Sequence, residues 1–119
     1  MMYKYFIILL SFFSAGLFAC EQAAKNASRI AVAGGSITEI IYFLGEEHRI
    51  VAIDRTSNFP EAAKKFPSVG YVRNLSAEGL VSLKPSLILG EHDMGPLEVL
   101  ELVKKTGVET ITVAEEFNA

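Results

Sequence analysis

The chain has 119 residues, 50% of them apolar and 21% charged, with 11 Lys and Arg against 14 Asp and Glu and a formal net charge of −3. That length suits one domain, and an acidic balance without a basic run excludes nucleic acid as the natural partner. The single cysteine excludes an intrachain disulfide, so a folded body must stand on its apolar core.

Met1 to Ala19 carries one charge, Lys4, and an apolar run from Tyr5 to Phe13 that resumes after Ser14 as AGLFAC. This is the shape of an export signal. A membrane-spanning helix would need about 20 apolar residues, and the polar stretch EQAAKNAS follows too soon. LFAC resembles the lipobox of bacterial lipoproteins, in which Leu precedes a small residue and a Cys that is lipidated. Phe18 departs from that pattern, because a smaller residue is usual there. The resemblance implies lipidation of Cys20 and attachment to a membrane surface without crossing it. Removing residues 1–19 takes away Lys4 and no acid, leaving 100 residues with 10 basic and 14 acidic groups, net −4. The expected organisation is a signal peptide over 1–19, a linker over 20–28 and a folded body over 29–119.

Within that body, short apolar runs alternate with helical patterns. RIAVAGG reads as a buried strand ended by two glycines. SITEIIYFLG follows as a helix, with Ser36 and Glu39 at capping-box spacing, apolar residues at Ile37, Ile40, Ile41 and Leu44, and a stop at Gly45. RIVAID is a second strand, and the long stretch RTSNFPEAAKKFPSVGYVRN after it holds one helical turn at Glu61 to Lys65. LSAEGLVSLK is helical from Ser76 and closed by Pro85. SLILG is a third strand, GPLEVLELVKKTG an amphipathic helix with Pro96 near its start and Gly107 at its end, and VETITVA a fourth strand. Strands that are continuous apolar runs alternating with helices predict an α/β fold: an open parallel β-sheet with helices on both faces. Right-handed crossovers then gather the strand-to-helix loops at one edge, where open α/β sheets bind ligands.

Three such loops, GGSITE, DRTSNFP and GEHDMGP, hold the polar candidates, with the Tyr71 segment in the same crossover as the second. Gly34-Gly35-Ser36 reads either as a phosphate cradle at a helix start or as a tight turn with an N-cap; it lacks GxGxxG and P-loop spacing. His92, with Glu91 and Asp93, reads as a metal set or as a solvated loop, and the spacing matches no recognised metal motif. His48 beside Glu46 and Glu47 reads as surface. No Ser-His-Asp, Cys-His or paired-carboxylate arrangement supports catalysis. Tyr71, taken alone, reads as a core or rim aromatic.

GGSITEIIYFLG, VGYVRNLSAEGLVSLKPSLILG and GPLEVLELVKKTGV, in this order and at these separations, resemble the N-terminal lobe of the haem-binding proteins that serve bacterial ABC haem importers. The resemblance runs from about Arg29 to the end. SLKPSLIL is shared with cobalamin- and siderophore-binding relatives, and GYVRNLSAEG is the specific part. What the resemblance implies is haem as ligand, Tyr71 as an axial ligand to ferric haem iron, and Arg73 as its support. It also implies an ABC permease as partner, a periplasmic or cell-surface location, and no enzymatic activity. A second lobe joined by a long helix is part of that family's plan, and the matching stretch here corresponds to the first lobe alone. Apolar surface that would face the linking helix is therefore expected to be uncovered.

The chemistry suits the residues that the resemblance names. A phenolate is a hard anionic donor for Fe(III), and the charge of the iron stabilises a group whose free pKa is about 10. On an extended segment Arg73 would face the same side as Tyr71 and stabilise the anion. It could equally pair with a haem propionate or remain a solvated charge. Glu78 matches the acidic residue through which relatives dock on the permease, and it also suits the first turn of a helix on dipole grounds. Two other readings stay open: cobalamin or a ferric siderophore on the same scaffold, and a nucleotide- or metal-handling enzyme built on the Gly-Gly-Ser turn and Asp54.

Overall fold

A computed structural model of the chain describes residues 23–114. The expected signal peptide and Cys20 lie outside the described residues. Four parallel strands form the sheet: β1 (Ile30–Ala33), β2 (Ile50–Ile53), the later strand Leu87–Glu91 and the last, Glu109–Val113. Two short strands, β3 (Gly70–Tyr71) and β4 (Asn74–Leu75), make a separate antiparallel hairpin, so the last two sheet strands are β5 and β6. The sheet order is β2-β1-β5-β6. All four residues of β1 are buried, as expected of a central strand covered on both faces.

Between β1 and β2 runs α1 (Gly35–Phe43); α2 (Ala77–Ser82) precedes β5, and α3 (Leu97–Lys104) joins β5 to β6. One face of the sheet packs Ile30, Val32, Ile50, Ile53 and Leu87 against Ile37 and Ile41 of α1. The other packs Ala31, Ala33, Ala52 and Ile88 against Leu80 of α2, Leu100 and Val103 of α3, and Val72 and Leu75 of the hairpin. A register shift between β1 and β2 allows this division, because Ile30 pairs with Ile50 but Ala31 pairs with Ala52. The extra residue turns Ile53, instead of Ala52, to the α1 face.

Helix ends are set by different means. Ser76 caps α2, its hydroxyl accepting a hydrogen bond from the Gly79 N–H at 3.1 Å, as the sequence predicts. At α1 the predicted Ser36–Glu39 capping box does not form. The N-cap lies two residues earlier, at Gly34 with φ 143°, and no side chain caps the helix from there. The Arg29 guanidinium closes the far end of α2 by donating to the Leu83 and Lys84 carbonyl oxygens at 2.7 and 2.9 Å. The segment before β1 lies against the body: Ala24 and Ala27 touch the α1-side core, and the Lys25 N–H donates to the Glu109 carboxylate.

Candidate functional site

The chain runs in opposite directions across the sheet from β1 to β2 and from β5 to β6, so a topological switch point falls between β1 and β5. The crevice there, at the N-terminus of α1, is occupied by the protein itself. Ser36 Oγ donates to Glu91 Oε1 at 3.0 Å. The Glu91 side chain lies where a Cβ on Gly34 would be, within 2.6 Å of that position. The Glu91 carboxylate thus stands beside the start of α1, where the helix dipole favours a negative charge, and is held there through the Ser36 hydroxyl.

Asp54, at the end of β2, is fully buried and saturated. Its Oδ1 accepts from the Gly34 N–H at 3.0 Å and from Ser57 Oγ at 2.8 Å. Its Oδ2 accepts from the Thr56 N–H and Thr56 Oγ1 at 3.0 and 2.6 Å. The Ser57 hydroxyl also pairs with the buried Thr38 of α1 at 2.8 Å. This network ties the β1–α1 and β2 loops together and leaves Asp54 no accessible oxygen for a ligand.

Beside these loops stands the hairpin that sequence reasoning missed. Gly70 pairs with Leu75 and Tyr71 with Asn74 around a two-residue turn, Val72–Arg73. Its geometry depends on Gly70 at φ 102°, where an added Cβ would sit 2.9 Å from the Asn74 carbonyl oxygen. Val72 is only 4% exposed and plugs the hairpin into the core. Backbone bonds fix it from both sides: Arg55 N–H to the Gly70 carbonyl at 2.7 Å, Gly95 N–H to the Val72 carbonyl, and Leu75 N–H to the Gly95 carbonyl, both at 2.9 Å. Strands of two residues carry no readable periodicity; the signals that could have revealed them are Gly70 and Asn74 bracketing the turn.

Tyr71 therefore ends β3 and Arg73 lies in the turn after it, so the two are not on one extended segment, the condition under which Arg73 would face the same side as Tyr71. Tyr71 is 41% exposed, and its hydroxyl has no hydrogen-bond partner among the described residues. Arg73 follows Tyr71 by two residues, in the turn of the same hairpin. Its Nε donates to Asp93 Oδ2 at 2.7 Å, a partner 20 residues away in the β5–α3 loop. That hydrogen bond is the main reason why the Asp93 carboxyl is held below its ordinary range, with the Arg73 charge adding to it. It likewise raises Arg73, ahead of the charges of Asp93 and Tyr71. Asp93 is thus paired, where the sequence reading had it in a solvated loop. His92 is exposed, and the described residues hold no group of three His, Cys, Asp or Glu side chains arranged for a metal ion.

Glu78 is exposed in the first turn of α2. His48 is exposed as predicted, 3.6 Å from Glu46, which also pairs with Arg49 at 2.9 Å. Apolar surface is uncovered on the outer side of α1, where Phe43 is 89% and Phe59 67% exposed. With Ile40, Tyr42 and Pro60 they line an open groove of about 570 Å³. Few polar groups converge on this groove, and it shares no residue with the Tyr71–Arg73–Asp93 cluster.

The Periplasmic binding protein family model matches residues 30–118. Among curated proteins, the Vitamin B12-binding protein of Vibrio vulnificus (strain YJ016) is 35% identical over 91 residues, 76% of this chain and 33% of that protein. Among solved structures, a periplasmic haem-binding protein of Pseudomonas aeruginosa is 42% identical with a TM-score of 0.72, over 73% of this chain and 31% of that one. The periplasmic vitamin B12-binding protein of Vibrio cholerae is 27% identical with a TM-score of 0.64, over 72% and 34%. The chain spans about a third of the length of each of these relatives. With its parallel sheet, its loops gathered at one edge and a model match over nearly the whole described body, the chain belongs to the periplasmic binding protein family.

Proposed function

We propose that this chain forms the N-terminal lobe of an extracytoplasmic haem-binding protein, lipid-anchored through Cys20, that captures ferric haem and delivers it to an ABC permease without covalent chemistry of its own. The observation that carries the reading is Tyr71: an exposed phenol with no hydrogen-bond partner among the described residues, at the tip of a hairpin locked into the core, beside a guanidinium. A side chain meant for packing would be buried, and a connecting loop would not need so many anchors. A phenolate oxygen is a suitable donor for ferric haem iron. Arg73 supplies positive charge close by, toward the phenolate or toward a haem propionate. The higher identity to a haem-binding structure, 42%, than to a vitamin B12-binding one, 27%, supports the same choice.

Glu78, exposed at the start of α2, is the proposed docking contact for a basic residue of the permease. A second lobe closing over the hairpin completes the proposed arrangement, and the exposed apolar side of α1 fits a protein that packs against further structure.

Binding and uptake assays on the full-length secreted chain test these roles. Titration with ferric haem should give a saturable absorbance change with a phenolate-to-iron charge-transfer band, and Tyr71→Phe should abolish that band. Glu78→Lys should keep the titration and lose haem uptake by whole cells; retained uptake removes the docking role. The similarity to curated B12-binding proteins favours cobalamin as the second reading. It predicts cobalamin binding that Tyr71→Phe leaves intact and no charge-transfer band with haem.

A further inference from the structure

We propose that Asp93 is a positioning residue: it grips Arg73 by Nε and leaves the terminal fork of the guanidinium presented to a carboxylate of the incoming ligand. This rests on the haem reading, since the carboxylates in question are the haem propionates.

The grip is one-sided. Arg73 makes a single hydrogen bond among the described residues, from Nε to Asp93 Oδ2, and its side chain is 66% exposed against 25% for Asp93. The second oxygen, Oδ1, is buried without a hydrogen-bond partner, so the carboxylate does not take the guanidinium in the bidentate manner that would use up a terminal nitrogen. Both Nη atoms are left for another planar acceptor, the pairing for which arginine is suited.

Asp93 can act as a fixed post because its surroundings are rigid. The next residue, Met94, is buried, with its sulfur packed where Gly90 of β5 lacks a side chain. The Met94 N–H bonds to the Glu91 carbonyl, and Gly95 is bonded in both directions to the hairpin that carries Arg73. The ion pair thus joins two segments already fixed relative to each other. An exposed pair of this kind adds little to folding stability. Its consequence is to restrict a long side chain that would otherwise lose its rotamer freedom when the ligand binds.

The test titrates the full-length chain with two probes, ferric haem and ferric haem dimethyl ester, whose propionates are blocked. The wild type should prefer haem, and Asp93→Ala should cut that preference about three- to tenfold while the Tyr71 charge-transfer band and the unfolding midpoint stay in place. Arg73→Ala should cut it at least as far, with no further loss on adding Asp93→Ala, and Asp93→Glu should recover part of it. An unchanged or increased preference in Asp93→Ala overturns the positioning role while leaving haem as ligand. Failure of the wild type to bind either probe overturns the haem reading and this inference with it.

Discussion

Two aspartates follow two parallel strands of one sheet, and their circumstances are opposite. Asp54, after β2, is buried and accepts four hydrogen bonds from three residues. Asp93, in the loop after β5, reaches solvent, makes one ion pair and keeps one oxygen without a partner. The first has no capacity left for a ligand and holds the loops in place. The second gives up part of its capacity to orient a neighbour that has donors to spare. Two carboxylates at one edge of the sheet thus differ in whether their hydrogen-bonding capacity is used up.

The largest expected effect breaks the scaffold side of that comparison. Asp54→Ala takes the acceptor from the buried Gly34 N–H and Ser57 hydroxyl and unties the Thr56 loop, and should cost about 3 kcal/mol. For a body of this size that lowers the thermal midpoint by more than about 10 °C. A calorimetric shift of only a few degrees would show that water replaces the carboxylate and that the network is not a lock.

A smaller effect is expected at Gly35, whose added Cβ would meet the Thr56 carbonyl oxygen at 2.6 Å. Because the clash is with backbone, Gly35→Ala should destabilise by about 1–3 kcal/mol, read from denaturant midpoints. The smallest effect belongs to the Arg73–Asp93 pair. The Asp93 carboxyl is held down in the folded state, so its contribution is present above the ordinary Asp value of about 4 and is lost as pH falls through the lowered one. Arg73→Ala should therefore lower stability slightly at neutral pH, with the difference from the wild type vanishing in acid, so that the acid limb of the stability curve is slightly flatter. A loss at neutral pH equal to that of Asp54→Ala would erase the distinction between the two aspartates.

Much of the architecture is legible in the chain. Three sheet strands stand where apolar runs lie, the fourth, Glu109–Val113, alternates polar and apolar residues at the sheet edge, and the 3₁₀ turn at Glu61–Lys65 and the Ser76 cap fall where local chemistry places them. Ser36 shows the limit of such reasoning. Its spacing to Glu39 satisfies a capping rule, yet its hydroxyl goes to Glu91, 55 residues away, because Gly34 starts the helix early and brings that loop close. The hairpin escaped for a similar reason: Val72 looks like any loop valine until its burial under Gly95 is seen.

The sequence by itself determined the α/β order, the parallel sheet and the edge at which polar loops gather, since these follow from periodicity, local turn chemistry and the handedness of crossovers. It also singled out Tyr71 and Arg73 through their resemblance to a known motif. Only the tertiary structure decided that Glu91 meets Ser36 at the start of α1, that Asp54 is sealed, and that Arg73 in the hairpin turn meets Asp93 in the β5–α3 loop. Those outcomes depend on which loops the sheet brings together. A hydrogen bond between residues 20 or 55 positions apart leaves no local pattern in the chain.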